Sequence, residues 1–257
     1  MKPRAIIFFD LDGTLLIGPN QIDESSLEAI KLLRQAGYLP VIATGRARHE
    51  IESVLEQTGI EALITMNGQY VVNANELIYS NPLKVADMNA LKEAALSKNY
   101  NVTYYSDAEI TSERADDQWT ELNYQSLHSS YPQHRPQLYT DKEIYLMLLM
   151  TKEPDPELLT GFPQFSFLRN TPYGYDVVPK GASKAVGILQ FIEQQGFEGI
   201  PTYAFGDGIN DMEMFKLVDK GVAMGNAVAP LKEIAHHVTD DFKQSGIYNG
   251  LKHYGLI

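Results

Sequence analysis

The sequence predicts an α/β fold: a parallel sheet with helices on both faces, interrupted by a second, inserted α/β domain. Three observations carry this expectation. Short apolar runs at 5–9, 39–43 and 202–205 each end in a polar cluster, the pattern of buried parallel strands that deliver polar side chains to the carboxyl edge of a sheet. Helical and strand patterns alternate around those runs. The 140 positions between Thr44 and Lys184 far exceed a connecting loop, so about 95 of them form a domain of their own.

Taken in order, Ile6-Ile7-Phe8-Phe9 is the first strand. Asp23 or Ser25 caps a helix through Gln35, with Leu27, Ile30 and Leu33 on one face and Gly37 at its C-terminal end. A second strand over 39–43 leads to a helix from near Arg46 to Gln57, closed by Gly59. A strand over 62–65 precedes a hairpin, Tyr70-Val71-Val72 and Leu77-Ile78-Tyr79, turning at Asn73-Ala74-Asn75. From Pro82 the texture changes to a long helical pattern through Lys98, a tyrosine-rich strand over 101–105, a polar stretch to Pro136, and strands near 143–150 and 164–168. After Tyr175-Asp176-Val177-Val178 the alternation resumes. The expected domains are therefore 1–81 with 177–257, and 82–176 between them, with hinges beside Pro82 and Pro179.

Bulk properties narrow the function. With 44% apolar residues, the 257-residue chain can fill real cores. No stretch approaches the roughly 20 apolar residues of a membrane span, and Met1-Lys2-Pro3-Arg4 runs directly into a strand pattern rather than a signal peptide, so a cytoplasmic location is expected. The absence of cysteine excludes thiol nucleophiles and thiolate metal sites. A formal charge of -12 argues against nucleic acid as a partner, because that affinity comes from Lys and Arg neutralising phosphates.

The chemistry gathers at the strand ends. In Asp10-Leu11-Asp12-Gly13-Thr14 a turn at the glycine can aim both carboxylates at one point, dividing the work of nucleophile and general acid/base; the same residues would also suit a solvated turn. Thr44-Gly45-Arg46 closes the second strand, where it could equally cap a helix, and Gly206-Asp207-Gly208-Ile209-Asn210-Asp211 closes another. Lys180-Gly181-Ala182-Ser183-Lys184 opens an amphipathic segment. The carboxylates, with no cysteine and no paired histidines, form an all-oxygen set suited to a hard cation such as Mg²⁺. In His236-His237 adjacent side chains diverge, which favours a structural use over a metal site.

These four clusters, in this order and over nearly the whole chain, resemble the haloacid dehalogenase-like phosphohydrolases. The phrase Gly-Val-Ala-Met-Gly-Asn-Ala at 221–227 is similar to the Cof-type branch. The resemblance implies a Rossmann-like three-layer core and an α/β cap that closes over the site. It implies Asp10 as the nucleophile forming an aspartyl-phosphate and Asp12 as the acid/base. Thr44 and Gly45 would hold the phosphoryl oxygens, Lys184 rather than Lys180 would hold Asp10 and the transferring group, and Asn210 would orient the last loop. Mg²⁺ would be bound by Asp10, the Asp12 carbonyl and Asp207, with Asp211 direct or through water. The expected activity is a Mg²⁺-dependent phosphatase of small phosphorylated metabolites, with Arg169 as a possible anion contact from the cap. A phosphomutase or a sucrose-type phosphatase would share this core. A non-catalytic sensor would not need the acid/base carboxylate.

Overall fold

The computed structural model describes residues 2–127 and 129–257. Its first strand, β1 (Ile6–Phe9), is fully buried, and α1 (Glu24–Gln35) follows, begun by Asp23, whose carboxylate accepts the N–H groups of Ser25 and Ser26. Then come β2 (Leu39–Ala43), a 3₁₀ turn over Arg48–Ile51, α2 (Glu52–Thr58), β3 (Ala62–Thr65), β4 (Tyr70–Asn73) and β5 (Glu76–Ser80). The second helix starts later than its pattern suggested because Glu50 turns back to accept the Ala47 N–H at 2.7 Å, which tightens the first turn. The β4–β5 turn uses positive φ at Ala74 and Asn75, the conformation of a tight hairpin.

The chain then runs through α3 (Val85–Ser97), β6 (Asn101–Tyr105), β7 (Ile110–Ser112), α4 (Gln118–Ser126), β8 (Gln133–His134), β9 (Leu146–Met150), α5 (Pro156–Gly161), β10 (Phe165–Thr171) and β11 (Gly174–Pro179). It continues through α6 (Lys184–Gln194), β12 (Thr202–Gly206), α7 (Met212–Leu217), β13 (Lys220–Ala223), α8 (Ala229–Ile234), β14 (His237–Val238) and α9 (Gly246–His253). Two compact units result, one of the residues up to Ser80 together with Ser183–Ile257, the other Asn81–Ala182.

Among the described residues the first unit holds an eight-stranded sheet in the order β14-β13-β12-β1-β2-β3-β4-β5, parallel from β14 to β3 and closed by the antiparallel β4–β5 pair. Strand alternation splits β1 between two cores. Ile7 and Phe9 pack with Ala29, Ile30 and Leu33 of α1, Val54 of α2 and Leu251 of α9. Ile6 and Phe8 pack with Ile188 and Phe191 of α6 and Met214 and Phe215 of α7. The result is the expected three layers, with the central strands covered on both faces. Among the described residues no helix is long and apolar enough to cross a membrane.

The second unit is a mixed sheet, β10-β11-β9-β6-β7-β8, antiparallel except for β7 with β8. Its apolar face packs under α3 and α5, through Met88, Leu91, Val102, Met147, Leu149, Leu158 and Val177. The other face is polar: the Asn101 amide donates to Ser112 Oγ and Thr120 Oγ1, and Tyr124 Oη meets Thr103 and Tyr105. Two expectations shift here. The stretch expected to be merely polar contains β7, α4 and β8. Val177 and Val178, assigned to the first unit, sit inside β11, whose partners β9 and β10 both belong to the second, so the return crossing falls at Ala182–Ser183 and not beside Pro179.

Candidate active site

The site lies in the first unit, where β1, β2 and β12 end at one edge of the sheet. The Asp10 N–H is still bonded to Phe205 O of β12, so the side chain leaves the sheet at a defined angle. The chain then turns at Gly13, whose φ of +80° is in the left-handed region; a Cβ there would lie 2.5 Å from Asp207 Oδ2, so glycine alone satisfies both conditions. At the end of β12 the loop folds around Asp211: its Oδ2 accepts the N–H groups of Asp207 and Gly208, each at 3.0 Å. Gly206 is pressed against the same carboxylate, 2.5 Å from a Cβ at that position to Oδ2.

Lys184 is the first residue of α6, after the N-cap Ser183. Its seat is made by glycines. A Cβ at Gly68 (φ +90°) would come 2.2 Å from Ser183 O, and one at Gly187 would come 2.8 Å from Gly68 Cα, so α6 lies directly on the loop after β3. The buried ammonium therefore reaches Asp10 Oδ1 at 2.5 Å and Asp211 Oδ1 at 2.7 Å.

Asp10, Asp207 and Asp211 each offer an oxygen within 4.8 Å of the others. Burial raises the Asp10 carboxyl well above its ordinary range against the pull of Lys184, with Asp211 and Asp207 adding to the rise. Burial and Asp211 push Asp207 up to about 6. Burial lowers the Lys184 ammonium, but Asp10 and Asp211 more than offset this and hold it charged. With one ammonium for three carboxyl groups, ionising all three would leave a net charge of about -2, expensive to keep out of water without a counter-charge. A divalent cation would supply it, and the all-oxygen donor set fits Mg²⁺.

The other expected residues divide. Thr44 is buried at the end of β2, its Oγ1 accepting the Arg46 N–H at 3.1 Å, and Gly45 lies close against Asn67, with 3.2 Å from a Cβ to Oδ1. The Asp12 carboxylate stands outside the buried trio, 60% exposed and gripped by Arg46 through Nε at 2.8 Å and Nη2 at 2.5 Å. Arg46 is anchored in turn on Asn20 Oδ1 at 2.8 Å. Asn210 is exposed, and Asp211, not Asn210, organises the loop. Arg169, in the second unit, donates to the carbonyls of Thr151, Lys152 and Pro172 and lies 4.6 Å over the Tyr175 ring. That guanidinium clasps the end of β9 to the β10–β11 hairpin, leaving few donors for an anion. His236 accepts the Gly221 N–H, and His237 stacks on His253 at 3.8 Å, both structural uses.

Sequence reasoning passed over three contributors: Thr14, whose hydroxyl donates to Asp207 Oδ1 at 3.1 Å; Arg46 as the partner of Asp12; and Asn226, whose amide reaches Gly13 O and Asp207 Oδ2. Each lay inside a phrase already singled out, at a position given no role.

A family model described as haloacid dehalogenase-like hydrolase matches residues 7–251. A Bacillus subtilis (strain 168) protein with the name "Putative phosphatase YkrA" is 37% identical over 252 residues, spanning 98% of both chains. The 5-amino-6-(5-phospho-D-ribitylamino)uracil phosphatase YitU of the same organism is 24% identical over 266 residues, spanning 97% of both. Among solved structures, the HAD subclass IIB sugar phosphatase BT4131 superposes with a TM-score of 0.85 at 29% identity, covering 98% of this chain and 100% of its own.

Proposed function

The chain belongs to the haloacid dehalogenase-like hydrolases, and from that premise we propose that it is a Mg²⁺-dependent phosphatase of small phosphorylated metabolites, working through an aspartyl-phosphate on Asp10. The observation that carries the reading is the buried Lys184 bridging Asp10 and Asp211 beside Asp207, an arrangement that costs stability unless it is used. Asp10, the Asp12 carbonyl and Asp207 would hold Mg²⁺, with Asp211 directly or through water; when bound, the cation supplies charge neutralisation for the transferring phosphoryl group.

The chain's own residues do the rest. Lys184 fixes one oxygen of Asp10 and offsets charge on the phosphoryl group, while Thr44 and the Gly45 backbone hold its oxygens. The Asp10 carboxylate attacks phosphorus as the ester P–O bond breaks, and Asp12 gives its proton to the leaving alkoxide. For that, Asp12 gives up its two-pronged pairing with Arg46 and takes up a proton from solvent before the ester bond breaks. Asp12 then takes a proton from water, which attacks the aspartyl-phosphate, releasing inorganic phosphate and restoring Asp10. The second unit acts as a cap that excludes water and selects the leaving group, and the protein works in the cytoplasm.

The named activities of YitU and BT4131 both concern phosphate esters of polyols or sugars, which supports that substrate class. The test is a phosphate-release screen over sugar phosphates, ribityl phosphates, nucleotides and phosphorylated cofactors, with Mg²⁺ and with EDTA. Release from at least one ester, abolished by EDTA and restored by Mg²⁺, is expected. Isomerised substrate without free phosphate would indicate a phosphomutase, and binding without turnover a sensor.

A further inference from the structure

Asp207 receives one neutral donor on each oxygen: the Thr14 hydroxyl on Oδ1 at 3.1 Å and the Asn226 amide on Oδ2 at 3.3 Å. The same Asn226 Nδ2 donates to Gly13 O at 2.8 Å, and its Oδ1 accepts the Phe242 N–H at 3.3 Å. Position 226 thus has to donate twice from one atom and accept once from another. A primary amide meets that demand; aspartate has no donor and serine only one. The accepted Phe242 bond also fixes which way the amide points.

The segment around Asn226 is built as a bracket. Met224 N–H bonds to Gly206 O and Val228 N–H to Asp207 O, so both ends are tied to the end of β12. Gly225 between them donates to Asp240 O, and its own carbonyl accepts from Lys232 Nζ at 2.5 Å. A Cβ at Gly225 would lie 2.5 Å from the Asp241 nitrogen, which leaves that backbone no room to drift. From this frame Asn226 spans the two loops that carry the carboxylates, the Gly13 turn after Asp10 and the Asp207 loop.

We propose that Asn226 is a positioning residue of the cation site: it orients the Asp207 carboxylate and locks the Gly13 turn to it without discharging either. Neutral donors are the point. A lysine at this place would cancel the negative charge that a cation needs, whereas an amide uses one lone pair of Oδ2 and leaves the charge intact. The proposal rests on the reading of the site as a Mg²⁺-dependent phosphatase.

Substrate-free, EDTA-stripped protein is titrated with MgCl₂ by calorimetry and by the Mg²⁺-dependent rise in Tm. Asn226→Ala is expected to weaken Mg²⁺ about 10- to 100-fold, the usual cost of losing a partner that orients a ligand. Most of the turnover should return at saturating Mg²⁺. Asn226→Ser, with one donor of the two, should fall between alanine and the parent, and it carries the test if the alanine variant does not fold. Asn249→Ala, which removes a similar amide bond to Asp240 Oδ2 outside the site, should leave Mg²⁺ affinity unchanged. Unaltered Mg²⁺ affinity in both Asn226 variants, with only a lower Tm, would overturn the positioning role while leaving the phosphatase reading standing. A parent protein that neither binds Mg²⁺ nor releases phosphate removes both.

Discussion

Asp207→Asn should stabilise the metal-free protein at pH 8, although it removes a residue of the candidate active site. Burial and the nearby Asp211 push the Asp207 carboxyl from 3.8 to about 6. Between those values the native state holds a proton that the unfolded chain has lost. The native advantage is therefore complete below about pH 4 and is lost as the pH rises through 6. The interval is worth about 3 kcal/mol at 1.36 kcal/mol per unit. The new amide meets the Thr14 hydroxyl well enough but sets a donor against Asn226 Nδ2, returning about 1 kcal/mol of that. A net gain of about 2 kcal/mol remains at pH 8, or roughly 4–8 °C in Tm. Thermal unfolding of both proteins in EDTA from about pH 4 to about pH 8 measures it. The variant should be slightly less stable at about pH 4, cross over near about pH 4.5, and, with MgCl₂ in place of EDTA, show none of the Mg²⁺ stabilisation expected of the parent at about pH 8. If the variant were the less stable at every pH, the carboxylate would not be the burden its surroundings imply.

The remaining predictions concern the other acids and the second unit. Asp10→Asn should lower phosphate release by about 10⁴-fold or more with the fold preserved, since it removes the nucleophile without changing volume; phosphate trapped on a different residue would move the nucleophile elsewhere. Asp12→Ala should slow alkyl phosphates about 10²- to 10⁴-fold but p-nitrophenyl phosphate far less, because that leaving group scarcely needs a proton; equal losses would give Asp12 a structural role. Arg169→Ala should lower the melting of the second unit by about 1–2 kcal/mol through the lost carbonyl bonds and ring contact, leaving the ranking of esters by kcat/KM unchanged. A changed ranking at constant Tm would restore Arg169 as an anion contact.

The core was legible because its strands are apolar on both faces and end abruptly in polar residues. Period and punctuation agreed at β1, β2 and β12, and Asp10, Thr44 and Asp207 stand at those punctuation marks. The second unit was harder to read for a physical reason. Helix α4 buries Thr120, Asn123 and Tyr124 against Asn101, Thr103 and Thr171, so the face it hides is polar and leaves no apolar stripe. The site residues that escaped notice did so for a related reason. Thr14 and Asn226 act on Asp207 across 193 and 19 positions, and a partner chosen by the fold leaves no spacing to read. Arg169 misled because a charged side chain in sequence says nothing about which carbonyls will claim it.

The glycine contact beneath α6 has a consequence for how such a protein can change over generations. The chain comes back from the second unit at Ser183, one residue before Lys184, and Ser183 O is wedged against Gly68. Whatever happens in the preceding hundred or so residues, substitutions, loop extensions or a wholesale exchange of the second unit, ends at that wedge. The lysine inherits none of it. If the second unit selects substrates as proposed, new ones can be explored in one part of the gene while the Lys184 seat stays insulated, and the insulation is made of two missing side chains.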